Sequence, residues 1–150
     1  MTEPSLRERA LRLLARREYA RAELARKLAS HTESIEEIDT VLDELVSRRL
    51  LSDARYAEMR MRARGARFGN ARLAQELRAA GVSDELVDRT LAGAKDELAR
   101  ASETWRRKYG GAGVPPDAAG WARQANFLAR RGFSGETIRH VLCSGHHEDD

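Results

Sequence analysis

Apolar residues return along this chain at helical intervals. Leu6, Ala10, Leu13 and Leu14 fall on one stripe of a helix predicted over Leu6 to Arg17, and Tyr56, Met59, Ala63 and Ala66 form the stripe of a second over Asp53 to Phe68. A third is predicted over Ala94 to Tyr109. Only nine positions are Val or Ile, Ala and Leu dominate, and Pro is absent between Ser5 and Val114, so helix formers abound and strand-forming runs are missing. The pattern predicts an all-α chain.

Between these helices one turn recurs. "LRAAGVSDELVDRTL", Leu77 to Leu91, reappears 51 residues later as "LARRGFSGETIRHVL", Leu128 to Leu142, and a weaker copy, "LASHTESIEEIDTVL", lies 49 residues earlier at Leu28 to Leu42. Gly81 and Gly132 suit the left-handed residue that closes a helix, with Val82 or Phe133 packing back on it. Ser83 and Ser134 then suit the N-cap of the next helix, and Glu85 and Glu136 bring negative charge to its positive end. In the first copy Thr32 replaces the glycine and Ser34 with Glu37 has capping-box spacing, which predicts a looser corner.

Each copy supplies a helix pair, and each of the three stripes adds one helix before it. Three tandem three-helix repeats follow, at 1–51, 52–93 and 94–145, with an acidic tail at 146–150 and a Gly/Pro loop, "GGAGVPPDAAG", at 110–120. Units this small lean on their neighbours, which predicts an elongated, curved helical array suited to binding an extended partner.

Charge sharpens that expectation. The net charge is only +3, from 27 basic and 24 acidic residues, but Arg55, Arg60, Arg62, Arg64, Arg67 and Arg72 face a single acid, Glu58, within their own stretch. On the predicted helix Arg60, Arg64 and Arg67 lie along one flank of the stripe and Arg55 and Arg62 along the other. Two readings stand: arginine stems covering apolar edges, or a patch for phosphates or an acidic partner. Arg123, Arg130 and Arg131 form a smaller group of the same kind.

Catalytic chemistry finds no candidate. Neither a G-x-x-x-x-G-K-[ST] loop nor a G-x-G-x-x-G turn after a strand is present, and no carboxylate pair stands out. Cys143 with His140, His146 and His147 raises a metal reading, but the cluster borders the chain end and no metal or cofactor is expected; Cys143 is read as small and partly buried. The eight aromatics are read mostly as core anchors. Trp105 and Tyr109, four apart with Arg106, Arg107 and Lys108 alongside, are expected to pack against the repeat, a base-stacking or partner-anchor role being the alternative. No apolar run is long enough for a membrane span or a secretory h-region, so a cytoplasmic location is expected.

The first fifty residues, "RAELARKL" then "SIEEIDTVLDELVSRRLLSD", also look like a winged-helix transcription regulator, but "DARYAEMRMRARGARFG" has a helical period where the wing strands would stand. The whole pattern resembles the RecX regulatory proteins. The resemblance rests on "LLSDARYAEMRMRAR" (Leu50, Leu51, Asp53, Tyr56, Ala57, Arg64), on "GNARLAQELRAAGVSDELV" (Gly69, Arg72, Leu73, Glu76, Leu77, Gly81, Val82) and on "RQANFLARRGFSGETIRHVL" (Phe127, Leu128, Arg130, Arg131, Gly132, Phe133, Ile138). It implies three tandem three-helix repeats and a non-enzymatic, monomeric modulator that lodges along the RecA filament on single-stranded DNA. Such proteins restrain the filament's ATPase, strand-exchange and coprotease activities.

Overall fold

The structure, a computed structural model, describes residues 2–111, 115 and 117–144. Among them are nine α-helices and no strand. These are α1 (Leu6–Arg16), α2 (Arg21–Leu28), α3 (Ile35–Ser47), α4 (Asp53–Arg64), α5 (Asn70–Ala79), α6 (Asp84–Ala92), α7 (Glu97–Tyr109), α8 (Ala118–Arg130) and α9 (Gly135–Ser144), with a 3-10 turn at Ala29–His31 after α2. They form two compact units. The first comprises the described residues up to Met59 with Leu77–Thr90, and the second comprises Arg60–Glu76 with the described residues from Leu91 on.

In the first unit α1, α2 and α3 pack on one another. Their stripes bury Leu6, Ala10, Leu24, Leu28, Ile38, Leu42 and Leu45, joined by Tyr19 and Leu51. Each fully buried leucine contributes about 2 kcal/mol. Ser5 caps α1 by accepting the Glu8 amide at 3.1 Å. The start of α4 joins this unit through Asp53 Oδ1, which accepts the Arg21 amide at 2.7 Å, and through Arg55, which donates to Glu18 at 3.0 Å.

In the second unit α7, α8 and α9 surround Ala101, Leu128, Phe133, Ile138, Val141 and Leu142. Asp96 and Asp117 cap α7 and α8, accepting the Leu98 amide at 3.2 Å and the Gly120 amide at 2.7 Å. Trp105 packs against this core and donates from Nε1 to the buried Gln124 at 2.7 Å. Trp121, by contrast, is exposed, and so is Cys143 in the last turn of α9. Cys143 follows the buried Leu142 by one residue, a rotation of about 100° that carries it off the core-facing stripe. His146, His147 and the rest of the expected acidic tail lie outside the described residues, as do positions 112–114 and 116 of the Gly/Pro loop.

Gly81 and Gly132 have φ of 91° and 88°, and each closes a Schellman ending. The Gly81 and Val82 amides donate to the Arg78 and Leu77 carbonyls at 2.9 and 3.0 Å; those of Gly132 and Phe133 donate to Ala129 and Leu128 at 3.0 and 3.3 Å. A side chain is excluded for a second reason. A Cβ at Gly81 would collide with the Ala22 side chain, and one at Gly132 would collide with the Cβ and backbone nitrogen of Arg72. Ala22 and Arg72 occupy the first turns of α2 and α5, 50 residues apart, as the two glycines are 51 apart. The same seat is therefore built twice.

The following serines cap the next helices. Ser34, Ser83 and Ser134 accept the amides of Glu37, Leu86 and Thr137 at 3.2, 3.3 and 3.1 Å. At the first corner Thr32 is extended, with φ −160°, and α2 runs into the 3-10 turn instead of a left-handed close. The capping box there is only half formed. The Glu37 carboxylate accepts from the Thr32 hydroxyl at 3.0 Å, and that hydroxyl accepts the Ser34 amide at 3.1 Å in its place.

Helix α4 departs from its predicted face and length. It ends at Arg64, after which Arg67 and Phe68 both donate to the Arg64 carbonyl, at 3.0 and 3.1 Å. Tyr56 and Ala57 are buried, Arg60 and Arg64 are half-buried, and Ala63 and Ala66 are exposed. The stripe therefore runs through 56, 57, the half-buried Met59, 60 and 64, its last two places filled by arginine stems. Arg64 tolerates this because its head meets a carboxylate.

Gly81→Val combines a β-branched residue at positive φ with the Ala22 collision. We expect a loss of about 2 kcal/mol or more and a melting temperature lower by about 4–8 °C, read by circular dichroism; an unchanged melt would refute the seat. Arg49 closes α3 with φ 61°, where glycine carries no Cβ penalty, so Arg49→Gly is expected to raise the melting temperature by a few degrees, at about 1 kcal/mol.

Candidate functional site

The basic residues marked in the sequence part company in the structure. Arg55, in the first unit, is paired with Glu18. The others of that stretch belong to the second unit, where Arg60 is half-buried and Arg62 exposed. Arg123 and Arg130 on α8 are exposed as well. Arg64, Arg72 and Arg131 converge on one ring.

That ring is Phe68. The guanidinium carbons of Arg72, Arg64 and Arg131 lie 4.2, 4.4 and 5.6 Å from its centroid. Glu76 holds two of them: Arg64 donates to both carboxylate oxygens at 2.8 and 2.7 Å, and Arg72 approaches at 3.6 Å. A bidentate pair fixes the plane of a guanidinium as well as its position. Three cations thus surround one aromatic ring, and two of them share one carboxylate.

Beside this cluster is a cleft of about 210 Å³ lined by Ala66, Arg67, Thr104, Arg107, Lys108, Phe127 and Arg131. Arg67, Arg107 and Lys108 are exposed. Arg107 donates to Glu103 at 2.9 Å, a hydrogen bond that lowers the carboxyl's pKa, with the charges of Arg107 and Lys95 acting in the same direction. Lys108 and Arg131 instead lie over the Phe127 ring, 4.5 and 4.8 Å from its centroid, while Tyr109 meets that ring edge-on at 5.5 Å. Among the described residues no carboxylate pairs with Arg67, Lys108 or Arg131.

The chain forms this cleft because the 65–69 turn is bolted to α7. Arg100, 4% exposed, donates to the carbonyls of Gly65 at 3.1 Å, Phe68 at 2.9 Å and Lys95 at 2.9 Å, and to the Asn70 side chain. Burial lowers the Arg100 pKa, opposed by the charges of Glu97 and Asp96. Thr104 adds a hydroxyl bond to the Ala66 carbonyl at 2.9 Å. From the other side the Gly69 amide donates to the Arg131 carbonyl at 2.7 Å, and Arg131 Nη1 donates to the Arg67 carbonyl at 3.3 Å. Arg131 is the residue before the Gly132 corner. The helix ending that seats Gly132 on Arg72 also sets one wall of the cleft.

Sequence reasoning grouped Arg67 with the α4 arginines and Arg131 with those of α8, and left Arg107 and Lys108 out of both groups. The available signal was the run Arg106-Arg107-Lys108 beside Trp105 and Tyr109, read there as a packing face. That face does pack, through Trp105, and Lys108 emerges at its edge.

Family models for RecX match this chain in order: the first three-helix domain at residues 7–45, the second at 52–91 and the third at 95–142. A protein from Chromobacterium violaceum named regulatory protein RecX is 46% identical over 145 residues, covering 97% of this chain and 93% of the relative. One of the same name from Leptothrix cholodnii is 48% identical over 147 residues, covering 97% and 92%. The crystal structure of RecX from Lactobacillus salivarius is similar in fold, with a TM-score of 0.78 at 19% identity, covering 94% of each chain.

Arg100→Met keeps most of the side-chain volume and strands the carbonyls it serves. We expect a loss of about 3 kcal/mol and faster amide exchange over residues 66–69. Arg100→Lys, with one nitrogen in place of three, should recover less than half of the melting temperature lost. A melt indifferent to both substitutions would mean that the turn stands without its bolt.

Proposed function

Because the chain belongs to the RecX family of regulatory proteins, we propose that it binds the filament formed by the RecA recombinase on single-stranded DNA. Bound there, it restrains ATP hydrolysis, strand exchange and coprotease activity. It performs no chemistry of its own and works as a monomer in the cytoplasm. Residues 1–51, 52–93 and 94–145 are its three repeats.

The observation that carries this reading is the convergence of Arg67, Arg107, Lys108 and Arg131 on one cleft, where among the described residues only Arg107 has a carboxylate partner, Glu103. Such a surface attracts a polyanion or an acidic protein face before contact and holds it afterwards. A filament offers many copies of each. A regulator gripping its groove opposes the subunit movements that accompany turnover, because any filament state that fits it less well is disfavoured by the difference in binding free energy.

The winged-helix alternative loses its main support. Its wing would require strands just after Leu51, and residues Asp53–Arg64 are helical.

Titration of this protein into RecA turning over ATP on single-stranded DNA provides the test. The hydrolysis rate is expected to fall well before one protein per RecA. An unchanged rate, with retardation of bare DNA in the same buffer, would make the chain a DNA-binding module and refute filament regulation.

A further inference from the structure

We infer that the exposed face of α8 around Ala122 and Arg123 is a third copy of the seat that α2 and α5 offer, and that it takes the glycine-closed C-terminal end of a helix on a partner protein. The inference rests on the proposed action at the RecA filament, whose subunits would supply that helix end, and it adds a contact between proteins that is separate from the basic cleft.

The two filled seats define what a seat is. Gly81 lies on Ala22 of α2 and Gly132 on Arg72 of α5, each too close to leave room for a Cβ. Each seat helix also sends an arginine to the carbonyl two residues before its glycine: Arg26 donates to Ala79 at 3.2 Å and Arg72 to Arg130 at 3.4 Å. The last carbonyls of a helix lack partners within it and carry partial negative charge, so a guanidinium suits them twice over. A close approach beside an arginine is the recurring element.

Helix α8 carries that element in the same register. Leu28, Leu77 and Leu128 are buried at places 49 and 51 residues apart, the spacing of the repeated turn. Six residues before Leu128 stands Ala122, as Ala22 stands before Leu28, and five before it stands Arg123, as Arg72 stands before Leu77. Gly120 likewise holds the place of Gly69. A Cβ at Gly69 would collide with the Gly132 backbone, and one at Gly120 would meet Pro115, which covers the edge of the face.

Beyond that edge the face is open. Ala122, Arg123 and Asn126 are exposed, and Arg123 has no hydrogen bond or ion pair among the described residues. Trp121, 37% exposed, stands beside them, and Trp and Arg are enriched among the residues that carry interface binding energy.

The occupant follows from the same comparison. A second copy of this chain has no corner to give, because Gly81 and Gly132 are already seated and the remaining corner, at Thr32, is extended with φ −160°. A different protein has such ends in supply, since roughly a third to a half of helices close on a left-handed residue, usually glycine. A filament presents each of them once per subunit.

Photo-cross-linking provides the test. The photoreactive residue p-benzoylphenylalanine is placed at Ala122 or, as a control, at the exposed Thr40 of α3. Each protein is irradiated with RecA assembled on single-stranded DNA in a non-hydrolysable ATP analogue, and the products are mapped by mass spectrometry. Position 122 is expected to capture RecA peptides that contain a helix-ending glycine, and position 40 is not. Ala122→Gln, which crowds the seat, and Arg123→Gln, which removes the donor, are each expected to weaken filament binding about tenfold. For Ala122→Gln the affinity for bare oligo-dT should stay within about twofold of wild type, with an unchanged melt.

Cross-links from position 122 that reach only DNA, a second copy, this chain itself or RecA segments away from any helix end would overturn the inference. So would the same RecA peptides captured from position 40, or wild-type filament binding by both variants. Should position 122 capture a RecA helix end while wild type leaves ATP turnover unchanged, the seat stands and filament regulation alone falls.

Discussion

A glycine in the left-handed region, seated on the first turn of an earlier helix, is the contact on which the rest of this structure depends. It acts at Gly81 over Ala22 and at Gly132 over Arg72. Two requirements meet at each position: the backbone must take φ near 90°, and no Cβ fits against the neighbour. Either alone would favour glycine. Together they make the corner a joint as well as a turn, because the conformation that ends one helix is also what lets it approach another. A repeat of three short helices buries little by itself, and this joint seats the end of one helix directly on a helix of the preceding trio.

The second joint does more than hold helices. Its C-cap residue is Arg131, whose carbonyl accepts the Gly69 amide and whose side chain reaches the Arg67 carbonyl and the rings of Phe127 and Phe68. From the opposite side Arg100 and Thr104 grip the same turn through its carbonyls. A buried guanidinium with no carboxylate partner among the described residues stays affordable only because four acceptors surround it. Cleft and joint are thus one construction, the arginines being held where their heads remain available.

The parts of this that were legible in the sequence are those where one residue type answers one local demand. Glycine before a hydrophobic residue and serine two positions after that glycine announce an ending and a beginning, and copies about fifty residues apart announce a repeat. Where arginine takes over, the sequence goes quiet. It fills half-buried places on α4 at Arg60 and Arg64, the core at Arg100, and a left-handed position at Arg49, all with a residue that reads as surface. Ala63 and Ala66, which carry the predicted α4 stripe, are both exposed. Trp121 and Cys143 show the reverse, residues of buried type left outside. The cleft needs residues 66 to 131 brought together, and nothing local in the chain announces that closure.

Hydrogen–deuterium exchange, followed by mass spectrometry on wild type and Gly132→Ala, addresses the joint most directly. If the corner is a seat, the added methyl lifts it off Arg72 and frees the Gly69 amide from Arg131. Exchange should then quicken over residues 69–73 and through α8 and α9, while α1 to α3 keep their wild-type protection. Unchanged protection over 69–73, or an even loosening of every helix, would contradict the account.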